Sequence, residues 1–196
     1  MRDSSRHDVL LTGFRGTSSE LLVKRAACKS LILPNDKVLD GQILLAELER
    51  QDYRYVFSFG QKPNIRDKVY LETTARNGDS CLYTDFAHGK LQAALLAQGV
   101  TVRISDFAGT SFCNALYWNG LEYLRNRELS TKMLFVHIPF LRNVTAVEDF
   151  FERILKGIAG YAQTSTCLRN ATERNGETRQ GETEKCEGGK GNVDEI

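Results

Sequence analysis

The chain has 196 residues, 41% hydrophobic and 26% charged, which fits one ordinary globular domain at ~100–200 residues each. Its 26 Lys and Arg nearly balance 25 Asp and Glu, for a formal charge of +1, so neither a nucleic-acid partner nor a polybasic membrane contact is expected. Mean hydropathy is −0.35, no apolar run approaches the ~20 residues of a membrane span, and the opening MRDSSRHDVLLTGF lacks the apolar core of a secretory signal; a cytoplasmic protein is expected.

Strand and helix signals alternate along the chain. Residues 8–13 (DVLLTG) form a short apolar run closed by glycine, the mark of a buried strand. Residues 18–30 open with Ser-Ser-Glu and predict a helix capped at Ser18 or Ser19. A strand follows over 29–34, stopped by Pro34, and a helix over 41–50 carrying Ile43, Leu44, Leu45 and Leu48. YRYVFSFG (53–60) predicts a third strand and 68–75 a fourth. Residues 86–99 fit a helix closed by Gly99. TVRIS (101–105) is a strand, 110–125 a helix, and MLFVHI (133–138) a strand ended by Pro139. The last helix, 146–161, is amphipathic, with Val147, Phe150, Phe151, Ile154, Leu155 and Ile158 at helical spacing. The division expected is an α/β domain over 1–162 and a polar, disordered tail over 163–196, which has no aromatic residue and too few apolar ones to offset its ordering entropy.

Such alternation predicts a mostly parallel sheet with helices on both faces, and chemistry at the carboxyl ends of its strands. Cys113 falls near the first turn of a helix that follows a strand and a Gly turn, where backbone N–H groups and the helix dipole favour a thiolate. His137 ends a strand in FVHIPF, and Glu72 sits among apolar neighbours in VYLETTARN. Singly, each also fits a bland role: a buried free cysteine, a satisfied core histidine, a solvent-facing glutamate. The five cysteines are an odd number without a C-x-x-C pair, so free thiols are expected rather than a disulfide framework or a zinc site.

Three stretches in order carry more than their members do. Gly60, Gln61, Arg66, Val69, Glu72, Ala75 and Asn77 form one. Ala108, Gly109, Cys113, Asn114 and Tyr117 form the second, and Phe135, His137 and Pro139 the third. Together they resemble the pyroglutamyl-peptidase I family (pyrrolidone-carboxylate peptidases, peptidase family C15) over about residues 8–161, with one extra residue between Gln61 and Arg66. The resemblance implies a phosphorylase/hydrolase-like fold: three-layer αβα with a twisted, mostly parallel central sheet. It implies a cysteine peptidase that removes an N-terminal pyroglutamyl group from blocked peptides. Cys113 would be the nucleophile, His137 the acid and base, and Glu72 the residue that orients the imidazole. Phe14, Gln61, Arg66 and Asn114 would bind substrate. No metal or organic cofactor is implied, and a homo-dimer or tetramer is.

The departures lie in recognition. The family follows its first turn with G-F-x-P-F-G-G, whereas this chain reads GFRGTSSE; Phe14 matches and the remainder does not. Pro63-Asn64-Ile65 replaces a Gly-Gly pair, and Leu82 occupies a position where the family tends to carry arginine. A polar lactam is selected by a fitted, hydrogen-bonding pocket, so these departures bear on the substrate rather than on the chemistry. Two alternatives stay open: an amidase or esterase with another acyl specificity, and a non-catalytic peptide-binding relative.

Overall fold

In a computed structural model, residues 7–172 are described, with side chains over 8–163. Six strands form the main sheet: β1 (His7–Phe14), β2 (Lys29–Leu33), β3 (Tyr53–Lys62), β4 (Lys68–Glu72), β7 (Thr101–Ser105) and β8 (Lys132–Pro139). Their order is β2-β1-β3-β8-β4-β7. Every pairing is parallel except β4 with β8. Helices α1 (Ser18–Val23), α3 (His88–Ala97) and α5 (Val147–Thr172) cover one face, and α2 (Leu39–Arg50) and α4 (Phe112–Asn126) the other. The expected three-layer αβα architecture is borne out.

Period-two alternation sorts the strand residues between two cores. Leu11, Phe57, Phe59, Leu134, Val136 and Ile138 meet Leu22, Leu91, Phe151 and Ile154 on the α1/α3/α5 side. Leu10, Phe14, Val56, Met133 and Phe135 meet Leu44, Leu48, Leu116 and Tyr117 on the α2/α4 side. Strands buried on both faces explain the near-continuous apolar runs in the sequence. The second face also carries Thr12 and Ser58, whose hydroxyls hydrogen-bond each other at 2.9 Å, fully buried.

Several expectations need correction. The helix predicted over 18–30 is only α1, capped by Thr17, whose hydroxyl accepts from the Ser19 N–H. The strand predicted over 68–75 breaks at Thr73. Its second part becomes β5 (Thr74–Asn77), a hairpin with β6 (Ser80–Tyr83) turning at Gly78, where φ is 56°. The Thr73 N–H donates to the Ser105 carbonyl at 2.7 Å and its own carbonyl accepts from Thr84, which holds the break in place. Cys81 is disulfide-bonded, against the free thiols expected; Cys28 and Cys113 are free. Helix α5 runs past the boundary expected at 162, to Thr172. The rest of the expected tail, 173–196, lies outside the described residues. No helix among the described residues is long and apolar enough to cross a membrane.

Candidate active site

The central strands bring two of the predicted residues together by register. Gly60 on β3 pairs with His137 on β8, so both point to the α2/α4 face. Cys113, in the first turn of α4, lies over that pair. A Cβ built on Gly60 would sit 2.6 Å from Cys113 Sγ and 2.9 Å from Phe135 Cζ. The sulfur therefore occupies the space a side chain at 60 would fill, and glycine is required there for close approach. The turn that delivers α4 uses Gly109 in the left-handed region, at φ 88°.

Glu72 arrives from the antiparallel strand. It pairs with Phe135, one pleat below His137, and its Oε1 meets His137 Nδ1 at 2.7 Å. Glu72 is 0% exposed and His137 4%. The carboxylate fixes the Nδ1–H tautomer, leaving Nε2 free to take a proton. Cys113 and the imidazole share Gly60 and Phe135 as neighbours, with the Phe135 and His137 ring centroids 5.0 Å apart. No hydrogen bond joins the sulfur to the imidazole.

Burial governs the charges here. It pushes the Cys113 thiol up to about 12, helped by the negative charges of Glu72 and Asp40. The thiolate expected from the helix dipole is thus not the resting form, because desolvation outweighs the dipole. Burial also lowers His137 below its ordinary value, even though Glu72 pulls the other way. Glu72 is opposed by its own burial, yet the His137 hydrogen bond and nearby Ser105 and Lys62 hold it below the ordinary carboxylate value. The resting site is a thiol, a neutral imidazole and a carboxylate.

The residues expected to bind substrate are placed differently. Phe14 is 3% exposed and packs on Phe135 at 6.4 Å between centroids, as part of the α2/α4 core. Gln61 points to the opposite face from Gly60, where its Oε1 accepts from the Ser18 N–H at 3.3 Å and hydroxyl at 3.4 Å. There it lines a cleft of about 460 Å³ together with Ser18, Leu21, Phe140 and Arg142. That cleft opens beside the Gln61 face of β3, not on the sulfur's side. Asn114 clasps the hairpin: its Oδ1 accepts from the Arg76 N–H at 2.9 Å and its Nδ2 donates to the Arg76 carbonyl at 2.7 Å. Arg66 is exposed on the loop after β3 and makes no hydrogen bond with Glu72, His137 or Cys113. Leu82, the arginine departure, is core.

Residues not foreseen also meet the site. Lys62 Nζ donates to Glu72 Oε1 at 3.0 Å. The Tyr117 hydroxyl donates to the Glu72 carbonyl at 2.9 Å, which tethers α4 to β4. Asp40, 1% exposed at the start of α2, has neither carboxylate oxygen in a well-formed hydrogen bond. The signal for Lys62 was present in the alternation: it lies two residues beyond Gly60 on the same strand, and so on the same face.

Comparison with known proteins converges on one group. The family model for pyroglutamyl peptidase, peptidase family C15, matches residues 61–152, which include Glu72, Cys113 and His137. A pyrrolidone-carboxylate peptidase of Fusobacterium nucleatum is 30% identical over 113 residues, 55% of this chain and 50% of its own length. One from Brevibacillus brevis is 28% identical over 102 residues, 49% and 47% of the two lengths. The chain thus matches about half the length of these curated relatives. Among solved structures, pyroglutamyl peptidase I of Bacillus amyloliquefaciens superposes with a TM-score of 0.71 at 16% identity, covering 80% of this chain and 96% of that one. The pyrrolidone carboxyl peptidase of Fervidobacterium islandicum gives 0.69 at 20% identity, covering 82% and 98%. The resemblance read from the three motifs is borne out, and the fold is the one these peptidases share.

Proposed function

We propose that this chain, whose relatives are pyroglutamyl peptidases, is itself a cysteine peptidase that hydrolyses the amide after an N-terminal pyroglutamyl group. One observation carries the proposal: a buried Glu72–His137 pair at 2.7 Å beside a free thiol seated against Gly60. His137 Nε2 takes the Cys113 proton as sulfur attacks the carbonyl, and the resulting imidazolium is stabilised by Glu72. The Cys113 N–H, in the first turn of α4, donates to the oxyanion. Collapse of the tetrahedral adduct passes the proton from His137 to the departing amine and leaves a thioester. Water, deprotonated by the same imidazole, releases the acid and restores the thiol. Because the thiol is held at about 12, proton transfer is coupled to substrate arrival rather than completed beforehand.

A second reading has its own support. Phe14 is packed into the core, Arg66 is exposed and Gln61 faces the opposite side of the sheet, so three of the residues expected to grip the lactam do not share one open pocket. An amidase or esterase of other acyl specificity fits that placement. We also keep as proposals a dimer or tetramer and a cytoplasmic location; a reduced Cys113 suits the cytosol, although the Cys81 disulfide does not. The deciding experiment offers the purified chain a fluorogenic pyroglutamyl amide, a prolyl amide and a simple acyl ester. Turnover of the first alone, abolished in Cys113→Ser, is expected. Turnover of the ester alone moves the reading to the alternative, and full activity in Cys113→Ser refutes the mechanism.

A further inference from the structure

Lys62 ends β3, with its side chain 25% exposed. Its ammonium contacts three groups, two on β4 and one in the loop before α4. It donates to Glu72 Oε1 on β4 at 3.0 Å and to the Phe107 carbonyl, in the loop leading to Cys113, at 3.2 Å. It also stands 4.9 Å from the centroid of the Tyr70 ring, a favourable cation–π distance. The Glu72 oxygen it holds is the one that meets His137 Nδ1. The other oxygen, Oε2, is buried without a well-formed hydrogen bond. Glu72 therefore depends on Lys62 for its only cationic partner among the described residues that is charged in the resting state.

We propose that Lys62 is a positioning residue for the Cys113–His137–Glu72 constellation, its ammonium holding the carboxylate on His137 and offsetting the negative charge buried with it. The proposal rests on the hydrolase reading only for its effect on turnover; its effect on His137 stands without it. A buried carboxylate without a cation beside it loses a charge-assisted hydrogen bond and the geometry that bond enforces. The titratable groups that face the cluster are Glu72 on β4, His137 on β8, Cys113 on α4 and, through the sulfur, Asp40 on α2. With two of these acidic, removing the sole lysine leaves a net negative pocket, which draws a proton onto His137. That imidazole then spends more of its time charged and is a poorer base near neutral pH.

The test compares the wild-type chain with Lys62→Met, Lys62→Gln and Lys62→Arg. The His137 ring is followed by NMR across pH, its signal assigned by its loss in His137→Asn, and turnover of the pyroglutamyl amide is measured in parallel. The expected results are a His137 midpoint displaced to higher pH in the Met and Gln variants and restored in the Arg variant. Where the wild type turns the amide over, kcat should fall roughly tenfold or more in Met and Gln with KM little changed, the size of one charge-assisted hydrogen bond to a buried group. A midpoint unmoved in Lys62→Met overturns the proposal. So does full recovery by Lys62→Gln, which keeps a donor and loses the charge, since that would reduce the residue to a loop tether. If the wild type hydrolyses none of the substrates, the function reading fails while the imidazole titration still decides Lys62.

Discussion

Gly60→Ala probes the core of the site with one methyl group. The added Cβ would lie 2.6 Å from Cys113 Sγ and 2.9 Å from Phe135 Cζ, whereas non-bonded carbon contacts settle at about 3.5–4.0 Å. One neighbour must retreat by roughly 1 Å. Phe135 is 0% exposed and packed among the tilted rings of Phe14, Tyr117 and His137, so it has little room. The sulfur is the end of a short side chain on a first helical turn, and it yields. Overpacking of this kind costs about 1–3 kcal/mol, and replacing a strand glycine returns about 0.5–1 kcal/mol of backbone entropy. The net stability loss is roughly 0–2 kcal/mol. Displacing a reacting atom by about 1 Å costs on the order of 10²-fold in rate. The expected signature is thus a modest shift in the urea midpoint with a loss of about two orders of magnitude in kcat/KM on the pyroglutamyl amide. A Cys113→Ala background supplies the control. With the sulfur gone, Gly60→Ala should cost measurably less stability, giving a coupling between the two positions. Wild-type turnover in Gly60→Ala, or the same stability cost with and without the sulfur, would refute the placement of sulfur over glycine.

Two further outcomes follow from the same geometry. Asn114→Ala removes both hydrogen bonds to the Arg76 backbone and should destabilise the chain by about 1–3 kcal/mol in urea with KM nearly unchanged; a raised KM at unchanged stability would make it a substrate contact instead. The pH dependence is set by two groups with lowered folded-state values. His137 is buried neutral, so its contribution is full above the unfolded value of about 6.5 and declines as pH falls from there toward the folded value. Glu72's contribution persists lower and is lost as pH falls through its own depressed value. Urea midpoints should drop between pH 7 and 5.5, and less so in His137→Asn; equal slopes would contradict the buried neutral imidazole.

The hairpin and the short first helix show where local signals stopped. Asn77-Gly78, where TARN ends before SCLY, is a strong turn dipeptide in strand context, so β6 was legible, but the break at Thr73 depends on a backbone bond to Ser105 far along the chain. Residues 24–28 have helix-forming composition but lack apolar residues at core spacing, and α1 ends at Val23, its last buried side chain.

By itself the sequence determined the alternation of buried strands and amphipathic helices, the three-layer fold that alternation requires, and the three residue types from which a thiol hydrolase is built. Periodicity and motif order are local properties, and they survive without coordinates. Only the tertiary structure decided that β4 runs against β8, so that Glu72 reaches His137 from one pleat away. It also set the charge states: the thiol that a helix terminus alone would ionise is kept protonated by burial beside two carboxylates. And it packed Phe14 against Phe135, joined Asn114 to the Arg76 backbone and brought Lys62 onto Glu72. Desolvation and charge proximity depend on which atoms from distant segments surround a group, and that is fixed only when the chain has closed on itself.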